Sequence, residues 1–197
     1  IEEIGTCLAI AKNLHIPNIR LRANDNGEAS IDTVYNFLLK GLPMAEESKV
    51  VLLLETTAIF ANSSVLRDML MRFSCDSLGA LWNFSAAYFE SGESSEEVIK
   101  NLGAYVKHVH INDAVKTENG REYCLLGEGE LPIGDMMLAL RSVNYDGFIS
   151  LVWDPAWCEE INDMEIIFSQ FTNYMKQFKA VSRNEKQLYY NRAHTGK

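Results

Sequence analysis

The sequence predicts an α/β fold in which parallel strands alternate with helices that cover them. Three observations predict it. Residues 50–54 are apolar without interruption, as a strand buried on both faces requires. Similar short runs recur at 78–84, 106–111 and 148–153, and segments with apolar residues at helical spacing lie between them. The repeat unit of roughly 25 to 40 residues fits crossover connections between parallel strands.

In chain order, Ile4, Leu8, Ala11 and Leu14 recur at helical spacing until Pro17 blocks continuation, so a helix opens the chain. Residues 18–23 read as the first strand, and Asn24, Asp25, Asn26 and Gly27 as a turn. Ser30 is placed to cap a helix whose apolar positions are Ile31, Val34, Phe37 and Leu38. The second strand, 50–54, is followed by an amphipathic helix over 64–73. The third, 78–84, precedes a helix over 95–105 that opens on Ser with Glu96 and Glu97 in its first turn, where carboxylates meet the positive end of the helix dipole. The fourth strand is 106–111. Residues 117–132, rich in Gly and charge, read as a connection to a helix over 133–143, which a turn at 144–147 ends. The fifth strand, 148–153, and a helix over 164–178 complete an α(βα)5 order. Residues 1–179 form one structural segment; 180–197 turn polar and read as a linker or a frayed tail.

Five units do not close the common eight-stranded barrel. The chain is either an open-sheet domain or the C-terminal five β/α units of a (β/α)8 TIM-barrel type fold, a partial barrel; an opening helix with no strand before it favours the second. With 47% hydrophobic residues there is enough apolar material for one core. No apolar run is long enough to span a bilayer, and a basic-then-apolar leader is missing from the first residues, so a cytoplasmic protein with no membrane partner is expected. A net charge of −9 without a Lys/Arg cluster opposes nucleic-acid binding, which draws affinity from neutralised phosphates. Cys7, Cys75, Cys124 and Cys158 are widely spaced and read as small hydrophobes rather than disulfides or a zinc knuckle.

Parallel barrels carry their reactive groups at the C-terminal ends of strands. Here those ends hold Glu55, Trp82-Asn83, His108 and His110 with Asn112-Asp113 beyond, and Trp153-Asp154. Taken singly, each is a polar residue emerging into solvent; taken together, they ring one mouth with groups able to hold a hard cation. Other candidates have bland readings: Gly127 to Gly129 carries too much acid for a phosphate cradle, Trp157, Tyr88 and Phe89 read as packing, and Lys107 and Lys116 as solvated.

The segments 51–55, 79–83, 106–113, 127–132 and 145–151 resemble, in order and spacing, the last five strands of the xylose isomerase-like barrels, a group of sugar and sugar-phosphate isomerases and epimerases. The resemblance runs from about residue 16 to 178. It implies a divalent ion (Mn, Mg, Co or Zn) held by Glu, Asp, His and Glu, with the two Glu moving the proton. Glu55 matches the first ligand and the catalytic role, and His110 the third. Asn83 stands at the Asp position, as the remaining candidate metal ligand. Val152 stands at the second Glu, and Ala86 where many members place a substrate-binding His. His108, Trp82, Asp113, Trp153 and Asp154 are the candidate substrate-binding residues, for a small carbohydrate or polyol.

Three carboxylates and a neutral imidazole would give the mouth a charge of about −3, whereas Glu55 and His110 give about −1, so affinity for a hard cation falls. An Asn carbonyl still coordinates; Val has no lone pair. Asp154 lies two residues beyond Val152, about 6.6 Å further along the strand on the same side, and a rearranged site using it is the active alternative. The expectation is a sugar isomerase/epimerase-like barrel, catalytically degenerate, with the metal present only if the site functions, and acting as a binding or structural module of a larger protein. The alternatives are an active metal-dependent isomerase or epimerase, and the N-terminal domain of a multidomain AMP-forming ligase, since residues 189–197 resemble a connector in bacterial proteins of that kind. Abasic-site endonucleases share the fold but use more ligands and a basic groove. A five-unit sheet also leaves a side uncovered, which predicts a homodimer or neighbouring domains of the same chain.

Overall fold

The computed structural model describes residues 1–23, 29–118, 120–158, 161 and 163–178. The predicted turn at 24–27 and the tail at 180–197 lie outside the described residues. Helix α1 (Glu2–Asn13) leads into β1 (Asn18–Leu21), α2 (Ile31–Ser48), β2 (Val51–Glu55), α3 (Ser63–Met71) and β3 (Leu78–Asn83). A short α4 (Phe84–Ala86) runs into a wide turn over Ala87–Ser91, and then come α5 (Ser95–Leu102), β4 (Val106–Ile111), β5 (Asp113–Thr117), β6 (Gly120–Cys124), α6 (Ile133–Ser142), β7 (Ile149–Leu151) and α7 (Met164–Met175). Five strands form one parallel sheet in the order β1-β2-β3-β4-β7, which is half of a barrel wall with helices on its outside.

The alternation of side chains along each strand divides the sheet into two faces. Leu52, Leu54, Ala80, Trp82, Val109 and Ile111 point outward and join Leu38, Leu42, Leu66, Leu70, Val98, Leu102, Met136 and Leu140 of the helices in one core. The inner face carries Arg20, Leu53, Glu55, Leu81, Asn83, His108, His110 and Ser150. Register keeps these in step: Arg20 lies beside Leu53, Glu55 beside Leu81, Asn83 beside His110, and His110 beside Ser150. Pairing of Ala80 with Val106 but Leu81 with His108 leaves Lys107 as an extra residue, a bulge that turns both histidines inward.

Three expectations need adjustment. The connection at 117–132 contains most of an antiparallel hairpin, β5 with β6, whose pairing begins at Asp113 with Cys124 and ends at Thr117 with Gly120. Its strands are polar and exposed on one side, so no apolar run marked them. The last strand is three residues rather than six, which puts Trp153 and Asp154 beyond its end. Helix α5 stops at Leu102, and Gly103 follows as its C-cap. Among the described residues no helix is long and apolar enough to cross a membrane.

Candidate functional site

Glu55 ends β2 and is 2% exposed, a carboxylate drawn into the inner face by the strand it terminates. Buried charge requires partners. Asn83 donates from Nδ2 to Glu55 Oε1 at 2.9 Å. His110 Nδ1 stands 3.4 Å from the same oxygen, close but not aligned for a hydrogen bond. The other oxygen, Oε2, faces two guanidinium groups from β1 and its end, Arg22 Nε at 3.3 Å and Arg20 at 3.8 Å. Burial pushes the Glu55 carboxyl up, but the contacts with His110 and Asn83 and the charge of Arg20 together outweigh it and hold the group below its ordinary value. Glu55 is therefore ionised at neutral pH.

The orientation of the Asn83 carboxamide is fixed by the backbone. Its Oδ1 caps α4, accepting from the Ala86 N–H and from the Ser85 hydroxyl, each at 3.2 Å. Only the donor end remains to face Glu55. An oxygen engaged on a helix N-terminus is not offered to an ion in the mouth, and Val152, on the second Glu position, has no donor atom at all. With Asn83 Oδ1 engaged, Glu55 and His110 are the two of the four implied positions whose side chains could still offer an ion a lone pair. Among the described residues no three His, Cys, Asp or Glu side chains gather where one ion could be shared. The residues present do not fit a four-ligand divalent site.

The remaining candidates are dispersed. His108 lies on the inner face, with Nε2 2.9 Å from Ser150 Oγ and its ring edge-on to His110. Burial, and then the charge of His110, push its basicity down, so it is held neutral. Trp82 is fully buried and packs on Phe84 in the outer core, because neighbours in a strand point to opposite faces and Asn83 already points inward. It meets no ligand in the mouth. Asp113 is 1% exposed, and its carboxylate is consumed by four backbone N–H groups, those of Ala114, Gly127, Gly129 and Leu131. Asp154 is exposed and caps the turn Pro155–Trp157 through the Ala156 N–H at 3.0 Å. Trp153 is half-buried, with its indole N–H unpartnered.

The pair Arg20 and Arg22 is absent from the sequence-based candidates, yet a signal existed. Two cations two residues apart, between Ile19, Leu21 and Ala23, put both charges on one face of a strand.

His108 and Glu55 also set how the fold responds to acid. For both, the folded-state pKa lies below the ordinary value, so the unfolded chain takes up protons first and stability is lost as pH falls. The His108 contribution is complete above about pH 6.5 and is lost as pH falls through its lowered folded value; that of Glu55 is complete above about 4.5 and is lost below that. Urea unfolding at pH 7.5, 6 and 5 is expected to show falling stability, and His108→Gln, which keeps a neutral partner for Ser150, is expected to flatten that slope. Parallel slopes for the two proteins would remove His108 from this account.

The family model described as a xylose isomerase-like TIM barrel matches residues 1–166. No curated protein matches the sequence. Solved structures of similar fold include a xylose isomerase domain protein from Planctomyces limnophilus, 16% identical with a TM-score of 0.71, over 90% of this chain and 64% of that one. A D-allulose 3-epimerase from Methylomonas sp. is 14% identical with a TM-score of 0.73, over 90% and 68%. The IolI protein, solved with a bound zinc atom, is 15% identical with a TM-score of 0.71, over 89% and 67%. The chain thus spans about two thirds of the length of these structures, and at such identities the likeness is one of fold.

Proposed function

Because this chain belongs to the xylose isomerase-like TIM barrel family, we propose that it is a sugar isomerase/epimerase-type barrel segment whose mouth has replaced the divalent ion by fixed protein charge, and that it serves as a binding or structural module of a larger protein. One observation carries the reading: the Asn83 carboxamide gives its N–H to Glu55 while its oxygen is spent on the Ala86 N–H. A carboxylate at that position would need a cation between itself and Glu55. The carboxamide needs none, and Arg22 supplies the countercharge on the other oxygen. Val152 supports the same reading, since interconversion of a sugar by proton transfer between adjacent carbons needs a base or acid at each stage and Val provides neither.

A small carbohydrate or polyol is the ligand class in keeping with the fold, and a second copy or a neighbouring domain of the same chain is the partner that covers the open side of the half-barrel. Calorimetric titration with Mn2+ and Zn2+ tests the central claim. The unaltered chain is expected to show no binding tighter than millimolar, and the Asn83→Asp, Val152→Glu double variant to gain it. Micromolar binding by the unaltered chain would overturn the proposal.

A further inference from the structure

The outer wall of the half-barrel carries an open groove of about 630 Å³ between α5 and α6. Asp135, Leu138, Ala139 and Ser142 of α6 lie at three- and four-residue spacing and so share one helix face, opposite Ser95, Glu96 and Ile99 of α5. The middle of the groove is apolar: Leu138 is 60% exposed, with Ile99 and Ala139 half-buried beside it. Both helices connect parallel strands and so run the same way. Their first turns therefore gather Glu96 and Asp135 at the end of the groove nearer the mouth. Neither carboxylate has an ion pair or hydrogen bond among the described residues, and no Lys or Arg among them lines the groove. Glu93 adds a third negative charge, with its oxygens already accepting from Ser63 and Ser91. Glu97 closes a capping box with Ser94, so the positive end of α5 is already met by a carboxylate. Ser95, which also lines the groove, has a buried hydroxyl without a partner.

A complement to this pattern lies in the chain itself. Residues 179–197 carry Lys179, Arg183, Lys186, Arg192 and Lys197 against one carboxylate, Glu185, in a chain whose net charge is −9. Leu188, Tyr189 and Tyr190 form an apolar run that ends two residues before Arg192. The point of departure fits as well. Arg141 of α6 donates to the carbonyl of Phe178, the last described residue, so residue 179 starts beside Ser142, at the end of the groove away from the carboxylates. From Ser142 to Asp135 is about 10 Å at the helical rise, and an extended stretch from Leu188 to Arg192 covers about 13 Å. Residues 179–187, at up to about 3.3 Å each, reach across the width of α6 with slack.

We propose that residues 186–192 of this chain dock in the groove between α5 and α6, with Leu188, Tyr189 and Tyr190 over Ile99 and Leu138 and Arg192 between Glu96 and Asp135. Running from Ser142 toward Asp135, the segment meets the apolar stretch first and the carboxylates second, the order in which its own residues come. Attachment to α6 through Phe178 supplies an effective concentration on the order of millimolar, so contacts too weak to hold a separate protein or a second copy suffice for this segment. The docking does not depend on the metal-free reading of the mouth.

Nuclear Overhauser spectra of the full chain, labelled at Ile and Leu methyls and Tyr rings, test the proposal. Contacts are expected from the rings of Tyr189 and Tyr190 to the methyls of Leu138 and Ile99, with relative intensities that do not change on dilution. Arg192→Glu, which alters no residue of the barrel wall, is expected to weaken them about threefold or more, and Glu96→Lys with Asp135→Lys in the same chain to restore them. Absence of these contacts in the unaltered chain overturns the proposal and leaves the groove to a separate partner. Contacts that persist in Arg192→Glu overturn it too. So do contacts between labelled and unlabelled chains in a mixed sample, which would give the groove to the tail of a second copy.

Discussion

Replacing Asp113 by alanine is expected to lower the unfolding free energy by about 3–5 kcal/mol, read from urea unfolding at neutral pH. The carboxylate accepts four backbone N–H groups: Oδ1 takes Ala114 at 2.9 Å and Leu131 at 3.2 Å, and Oδ2 takes Gly127 at 2.9 Å and Gly129 at 3.1 Å. Alanine would leave these donors without an acceptor around a buried position, each an uncompensated desolvation cost of about 1–3 kcal/mol before relaxation lets water in. Asparagine, whose amide opposes two of the donors, should fall between wild type and alanine. Gly129→Ala should damage the same contact from the other side, since a side-chain carbon there would run into the Asp113 carboxylate. A loss below about 1 kcal/mol for Asp113→Ala would mean that the loop 125–131 is held by other means.

The second large effect is expected at Trp82. It is fully buried and packs against Phe84 with ring centroids 4.5 Å apart, so Trp82→Ala should cost about 3–5 kcal/mol through the cavity it leaves. Trp82→Phe should cost far less than that. It removes volume, but it also removes an indole N–H that is buried without a partner. A loss below about 1 kcal/mol for Trp82→Ala would take Trp82 out of the core.

These two residues also show how far the sequence could be read. The parallel strands announced themselves because each is covered on its outer face by helices and so is apolar there, and their ends located Glu55, Asn83 and His110, which do meet. Trp82 adjoins Asn83 in sequence, but adjacency in a strand means opposite faces. Asp113 sits two residues past a strand like a mouth residue, yet three of its four partners are backbone groups 14 to 18 residues further on, and nothing in a side-chain pattern records where a loop's N–H groups will turn. The hairpin escaped for a related reason: its strands are short and polar, and it is held by main-chain pairing. Arg20 and Arg22 were legible in their spacing but became meaningful only once register placed them beside Glu55.

The hydrogen bond from Asn83 to Glu55 also limits what position 83 can accept. Asn83→Asp alone would set a second carboxylate at about the 2.9 Å that now separates the amide nitrogen from Oε1, with no ion between them. Like charges that close force one of the pair to keep its proton. A carboxylate at position 83 would therefore be accommodated only with a shared proton or with a cation between it and Glu55.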